Sequence, residues 1–244
     1  MKDISIYQTF HKDFIHNPES LWIKPIGVNG YRHDNFLSDA IGENITSLNP
    51  YYCELTAFYW VWKNTRSDYV GFYHYRRYLN YCVNDDFRES GLCGIDAACV
   101  QYLSSENQKK ALQKILSLTD VILPTKSFLS PSIESHYLKH LQNEPWFVFI
   151  ETLRDTYPQY MSTIDLFAIT PFAPVCNIFV MKWPLFDSYC MELFYVVDKV
   201  FDRIGSPYDD YQNRYPGFLA ERFLSFWMHI HQIQAIDVPM MTLA

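Results

Sequence analysis

Apolar and polar positions alternate over Ile4-Ser5-Ile6-Tyr7-Gln8-Thr9, the period-two signature of a strand, and the run ends on polar Thr9, His11 and Lys12, where a strand hands over to a loop. A second such segment, Tyr69-Val70-Gly71-Phe72-Tyr73-His74-Tyr75, is aromatic and β-branched enough to read as a central strand, and it stops abruptly at Arg76-Arg77. Strand alternation places His74 and Arg76 on one face and Tyr75 and Arg77 on the other. Asp120-Val121-Ile122-Leu123-Pro124 is a short strand stopped by a residue that cannot donate to a ladder, Cys176 to Met181 is another, and Ile236 to Pro239 reads as an edge strand.

Between these runs the period changes to that of a helix. Asn49-Pro50 starts one that continues to about Lys63, with Leu55, Phe58, Tyr59 and Trp62 as its buried stripe. Further helices are predicted from about Glu106 to Leu118, with Leu112, Ile115 and Leu116 inward, and from near Pro145 to Tyr157. Pro184 opens another with Leu185, Tyr189, Leu193, Val196 and Val200 inward, and Phe218 to Ile230 forms the last. Residues 16–48 and 80–104 show no sustained period and read as irregular insertions. Helices alternating with short apolar strands define an α/β fold, a mostly parallel central sheet covered by helices.

Composition narrows the class. With 244 residues and 49% apolar content the chain can bury one substantial core, so a single domain, 1–244, is expected. A net charge of −7 argues against a nucleic-acid backbone as the main partner. Six scattered cysteines without a CxxC read as small buried hydrophobes. The absence of a long apolar run and of a secretory signal predicts a chain that stays in the cytoplasm. The aromatic share, 18% with 19 tyrosines, suits stacking on sugar or base faces as well as a ring-rich core.

Ligands in open α/β sheets bind beyond the carboxyl ends of strands, which makes His74-Tyr75-Arg76-Arg77-Tyr78 the leading candidate site. Planar, permanently charged guanidiniums there can fork onto phosphate oxygens or bond to structural carboxylates. Glu54, in the opening turns of its helix, serves either as a local cap or arginine partner, or orients His74 or an arginine. Glu221 and Arg222 sit on a helix that is apolar almost all round, and charges buried there need partners or a ligand. Glu221 is a candidate base or a ligand for sugar hydroxyls, and Arg222 bonds a neighbour or phosphate. His136 and His140 are four apart, but two nitrogens do not establish zinc. P-loop, GxSxG and GxGxxG motifs are absent.

Six blocks carry a family resemblance: Asn49 to Ala57, Tyr69 to Tyr78, Asp120 to Pro124, Ser135-His136-Tyr137, Asn177 to Lys182, and Gly217 to Arg222. Their order and residues closely resemble the DUF4422 family, whose members look like glycosyltransferases of capsule, exopolysaccharide or lipopolysaccharide assembly with a GT-A-like, Rossmann-type fold. The resemblance implies a nucleotide-sugar donor, UDP-linked, a hexose-type sugar such as galactose or galactofuranose, and a glycan or lipid-linked glycan acceptor that brings the chain to the inner membrane face. It implies a nucleotide-binding half over about residues 1–125 and a donor-sugar and acceptor half over about 126–244. Thr9, His11 and Lys12 become nucleotide-side candidates with Glu54, His74, Tyr75 and Arg222, and Asn177 is placed in the pocket. Where many GT-A enzymes hold Mn²⁺ or Mg²⁺ with Asp-x-Asp, this strand ends in Arg76 and Arg77. Either these cations replace the metal against the leaving diphosphate, or Asp85-Asp86 or Asp209-Asp210 supply ion ligands. A non-catalytic glycan-binding or assembly domain and a nucleotide-sugar hydrolase are the alternatives.

Overall fold

The computed structural model describes residues 2–82 and 90–244. In chain order the strands are β1 (Ile4–Phe10), β2 (Ile23–Gly27), β3 (Leu37–Ser38), β4 (Tyr69–His74), β5 (Arg77–Leu79), β6 (Gly91–Cys93), β7 (Val121–Pro124), β8 (Ser127–Phe128), β9 (Phe172–Ala173), β10 (Phe179–Lys182), β11 (Ile236–Val238) and β12 (Met240–Leu243). The helices are α1 (Asn49–Tyr52), α2 (Leu55–Asn64), α3 (Ala97–Leu103), α4 (Glu106–Ile115), α5 (Ile133–His140), α6 (Asn143–Thr156), α7 (Met161–Ile169), α8 (Trp183–Ile204) and α9 (Tyr215–Ile230).

The central sheet runs β11-β7-β10-β4-β1-β2-β3, with β5, β12 and β6 attached beyond β4. β1 is parallel to both β2 and β4, whereas β10 inserts antiparallel between β4 and β7. Side chains alternate across this sheet. In β4, Val70 and Phe72 enter the core beneath α2, α6, α8 and α9, while Tyr69 and Tyr73 enter a second core with Leu112 of α4 and Val100 and Leu103 of α3. Helices thus cover both faces, which is why β1 is buried at all seven positions. A Cβ on Gly71 would lie 2.7 Å from the Phe179 carbonyl oxygen and the Ile6 and Val180 side chains, so glycine lets β4 and β10 approach at the sheet centre.

Several expectations need correction. The helix begun at Asn49 is two, because Cys53 has φ +52° and breaks it before α2. Within α2 the buried face is Leu55, Ala57, Phe58, Trp60 and Val61; Tyr59 and Trp62 are half-buried, with Trp62 stacked on Phe194 of α8 at 6.0 Å. On α8 Leu185 is only partly buried, and Phe186 takes the inner position. The 16–48 insertion contains β2, and 80–104 contains β6 and α3. α5 and α7 complete a helical layer that periodicity did not isolate. The strand expected from Cys176 begins at Phe179, since Cys176 and Asn177 both have positive φ. Of the six free cysteines only Cys190 is fully buried. Among the described residues no helix is long and apolar enough to cross a membrane.

Candidate active site

The carboxyl ends of β1 and β4 lie side by side, with Thr9 opposite His74 in the ladder. Chain direction reverses at once: Tyr75-Arg76 form a two-residue turn and Arg77 of β5 pairs with His74. His74 and Arg77 are therefore cross-strand neighbours on the same face, and the simple alternation expected for a continuing strand does not apply. Gln8 pins the turn by donating its amide to the His74 and Tyr75 carbonyls.

Tyr75 is the hub of this rim. Its buried ring meets His11 and Phe14 with centroids 5.0 Å away in each case, and Lys12 and Arg76 reach over it at 5.4 and 5.7 Å. Thr9 lies beneath, its hydroxyl committed to the Tyr73 carbonyl. Burial, followed by the charges of Arg77, Arg76, His11 and Arg214, depresses the His74 pKa to about 3, so its imidazole is neutral at ordinary pH. His74 Nδ1 is buried with no protein partner. Among the described residues neither Arg76 nor Arg77 is held in an ion pair. Arg76 is exposed and Arg77 half-buried.

Facing these cations is an acidic and amide cluster. Glu54 occupies the position before α2 yet makes no side-chain bond to its own helix. Its Oε1 instead accepts the Asn177 side-chain amide at 2.8 Å, and the same amide donates to the Gly217 carbonyl at 3.1 Å. Asn177 Oδ1 remains buried and unpaired. The left-handed backbone of Asn177, φ +51°, turns this amide inward; asparagine tolerates that conformation better than most residues. Glu221 is raised in pKa by burial, opposed by Arg222 and raised further by Glu54, while Arg77 and the Cys176 amide act to lower it. Arg222 Nη1 holds Glu221 Oε2 at 2.8 Å and also donates to the Phe218 carbonyl; its guanidinium lies over Tyr137 at 5.6 Å.

The fold thus brings Glu54, Asn177, Glu221 and Arg222 together within reach of Arg77, the ladder partner of His74, while His11, Lys12 and Arg76 gather on Tyr75. Arg214 joins the site although no pattern in the sequence marks it. Here its Nε donates to Cys53 Sγ at 3.0 Å, and its charge reaches both His11 and His74. Cys53, at the break between α1 and α2, is likewise a site residue that no periodicity marks. The rings of His136 and His140 meet at 4.9 Å in a tilted arrangement, but among the described residues no group of three His, Cys, Asp or Glu side chains is placed to hold a metal. Asp209 caps a turn by accepting from the Gln212 amide, and Asp85-Asp86 lie outside the described residues.

Two comparisons bear on this arrangement. The model of the family described as a domain of unknown function, DUF4422, matches residues 5–232, and the chain belongs to that family. Its fold is similar to the apo structure of WbbM, described as a bifunctional glycosyltransferase, with a TM-score of 0.87 and 28% identity. That alignment covers 99% of this chain but 45% of WbbM, so the chain spans less than half of its relative. No curated protein sequence matches.

Proposed function

We propose that this chain is a glycosyltransferase that moves a hexose-type sugar, galactose or galactofuranose, from a UDP-linked donor to a glycan acceptor in surface-polysaccharide assembly. The observation that carries the reading is the set of cations at the mouth of the sheet, Arg76, Arg77 and Arg214 with neutral His74, opposed to the Glu54-Asn177-Glu221 cluster. The likeness to WbbM supports the same class.

An acceptor hydroxyl attacks the anomeric carbon, the bond from that carbon to the diphosphate oxygen breaks, and the nucleoside diphosphate leaves with the electron pair. Arg76 and Arg77 stabilise the developing negative charge. Glu221 takes the hydroxyl proton; the burial that raises its pKa makes it a stronger base than an exposed carboxylate, and Arg222 fixes its orientation. His11, Lys12 and Tyr75 contact the nucleotide side in this reading, with Thr9 behind them, and Asn177 Oδ1 accepts from a sugar hydroxyl. Glu54 orients Asn177. The half up to about residue 125 binds nucleotide and the remainder shapes donor sugar and acceptor. A lipid-linked acceptor would draw the chain to the inner face of the membrane.

The test is UDP release from UDP-galactose and other nucleotide sugars, paired with thermal stabilisation by free UDP. Glu221→Gln is expected to abolish most turnover while keeping the UDP-induced shift. Turnover without an acceptor that acceptor does not accelerate identifies a hydrolase instead, and unchanged turnover in the variant removes Glu221 as the base.

A further inference from the structure

Polar atoms shut away from water are nearly always paired, because an unmade hydrogen bond leaves the cost of desolvation standing. Around the Glu221-Arg222 pair that rule is broken repeatedly. Arg222 is 6% exposed and Tyr137 is fully buried, yet Arg222 Nε and the Tyr137 hydroxyl have no hydrogen-bond partner among the described residues, and neither does the buried Nδ1 of His136. These atoms belong to one place. The Arg222 guanidinium lies 5.6 Å from the centre of the Tyr137 ring, and its charge reaches both α5 residues: burial and then Arg222 hold His136 below the ordinary imidazole value, while Arg222 opposes the burial that raises Tyr137.

Neighbouring polar groups are committed elsewhere. Tyr208 gives its hydroxyl to Glu144, the Trp146 indole donates to Glu134 at 3.1 Å, and Arg222 spends Nη1 on Glu221 and the Phe218 carbonyl. Trp146 packs on the Tyr137 ring at 5.3 Å and the Ser132 hydroxyl caps α5 by accepting from the Ser135 amide at 3.1 Å, so the helix that presents His136 and Tyr137 is firmly held. Asn177 Oδ1 extends the set, since its amide bonds the carbonyl of Gly217, next in the chain to Phe218. Charge limits what can satisfy these atoms. A carboxylate or phosphate only accepts and would meet Glu221 and Glu54, whereas a neutral hydroxyl can accept from Arg222 Nε while donating to His136 Nδ1, Tyr137 or Asn177 Oδ1.

We propose that His136 and Tyr137 are sugar-binding residues: with Arg222 Nε they take hydroxyls of the saccharide lying against Glu221, and so decide which sugar the site accepts. The inference rests on the glycosyltransfer reading, under which that saccharide is either the donor's hexose or the sugar at the end of the acceptor.

Tyr137→Phe separates this role from a structural one. The hydroxyl bonds nothing in the protein, so its removal is expected to leave the melting temperature unchanged or raised while weakening sugar recognition about tenfold, the scale of one neutral hydrogen bond. His136→Ala is expected to act on the same substrate. The donors tried are UDP-galactose, UDP-glucose and UDP-N-acetylglucosamine, and the acceptors are the methyl β-pyranosides of the same sugars. Where the hydroxyl is the donor's, KM for the nucleotide sugar rises in acceptor-free UDP release, and the thermal shift it gives beyond that of UDP shrinks. Where the hydroxyl is the acceptor's, both quantities keep their wild-type values and the pyranoside KM rises instead. A Tyr137→Phe chain that melts below wild type assigns the hydroxyl to the fold, and one that keeps every sugar-dependent quantity leaves it to water; either overturns the proposal. If no donor releases nucleotide, saturation-transfer NMR with the pyranosides decides: signals weakened by Tyr137→Phe retain the hydroxyl site and reject the catalytic reading, and signals absent or unchanged reject both.

Discussion

Asn177 and Glu54, 123 positions apart in sequence, are joined by a hydrogen bond of 2.8 Å that ties the loop before β10 to the start of α2. Because the amide also serves the Gly217 carbonyl, Asn177→Ala strands two acceptors in a largely buried setting and puts alanine at a positive φ. A loss of about 1–3 kcal/mol is expected by urea denaturation. Asn177→Asp should cost more at neutral pH, where it brings a third carboxylate to Glu54 and Glu221, and should recover partly in acid as a protonated carboxyl regains a donor. A variant as stable as wild type would show that the bond does not hold the loop.

The His74 imidazole gives the fold an acid sensitivity of definite sign. Its folded pKa, about 3, lies below the ordinary imidazole value of 6.5, so between these values the unfolded chain binds a proton that the folded chain refuses. Stability contributed by the neutral ring is complete above about pH 6.5 and is lost progressively as pH falls toward about 3. Arg77, Arg76, His11 and Arg214 all act in the same direction. His74→Gln removes the titration, and its melting temperature should fall less steeply than that of wild type across this window; parallel curves would contradict the assignment.

What the sequence made legible follows from how local each signal is. The period-two runs of β1 and β4 and the almost all-round apolar character of α9 are set by burial on neighbouring positions; the strands stand where the pattern puts them, and α9 ends where expected but begins three residues earlier, at Tyr215. β2 carries Pro25 within five residues and owes its place to parallel pairing with β1, a contact that periodicity within β2 itself does not reveal. The same holds for the site. The arginine pair announced itself as a charge step after an apolar run, but the turn that puts Arg77 beside His74 depends on β5 finding β12. Cys53, Arg214 and the positive φ of Asn177 are consequences of tertiary closure, with no periodic trace in the chain.

Gly71 sets the spacing of β4 and β10. An added methyl would meet the Phe179 backbone oxygen at 2.7 Å as well as two side-chain carbons, and backbone cannot rotate away as a side chain can. Gly71→Ala is expected to destabilise the chain by about 1–3 kcal/mol through overpacking, seen as a lower urea midpoint at unchanged slope. A midpoint equal to that of wild type would mean that the sheet widens there without cost.

The cations at the rim carry a prediction about metal. Arg76, Arg77 and Arg214 bring three permanent positive charges to the neighbourhood of neutral His74, and neither Arg76 nor Arg77 is within salt-bridge distance of a carboxylate among the described residues. Guanidiniums held in such a place can perform the task of a divalent ion, stabilising a departing diphosphate without needing to be recruited. Turnover of a nucleotide sugar should therefore persist in excess EDTA. Arg77→Met should lower kcat by about 10²–10³-fold, the scale of losing one preorganised charge-stabilising group, and Mn²⁺ should not restore it. Arg76→Met, at the exposed position, should act more on nucleotide affinity than on kcat. Loss of turnover in chelator with recovery on adding Mn²⁺ or Mg²⁺ would reverse the conclusion and direct the search for ligands to Asp85-Asp86, three and four positions after Cys82 in the sequence.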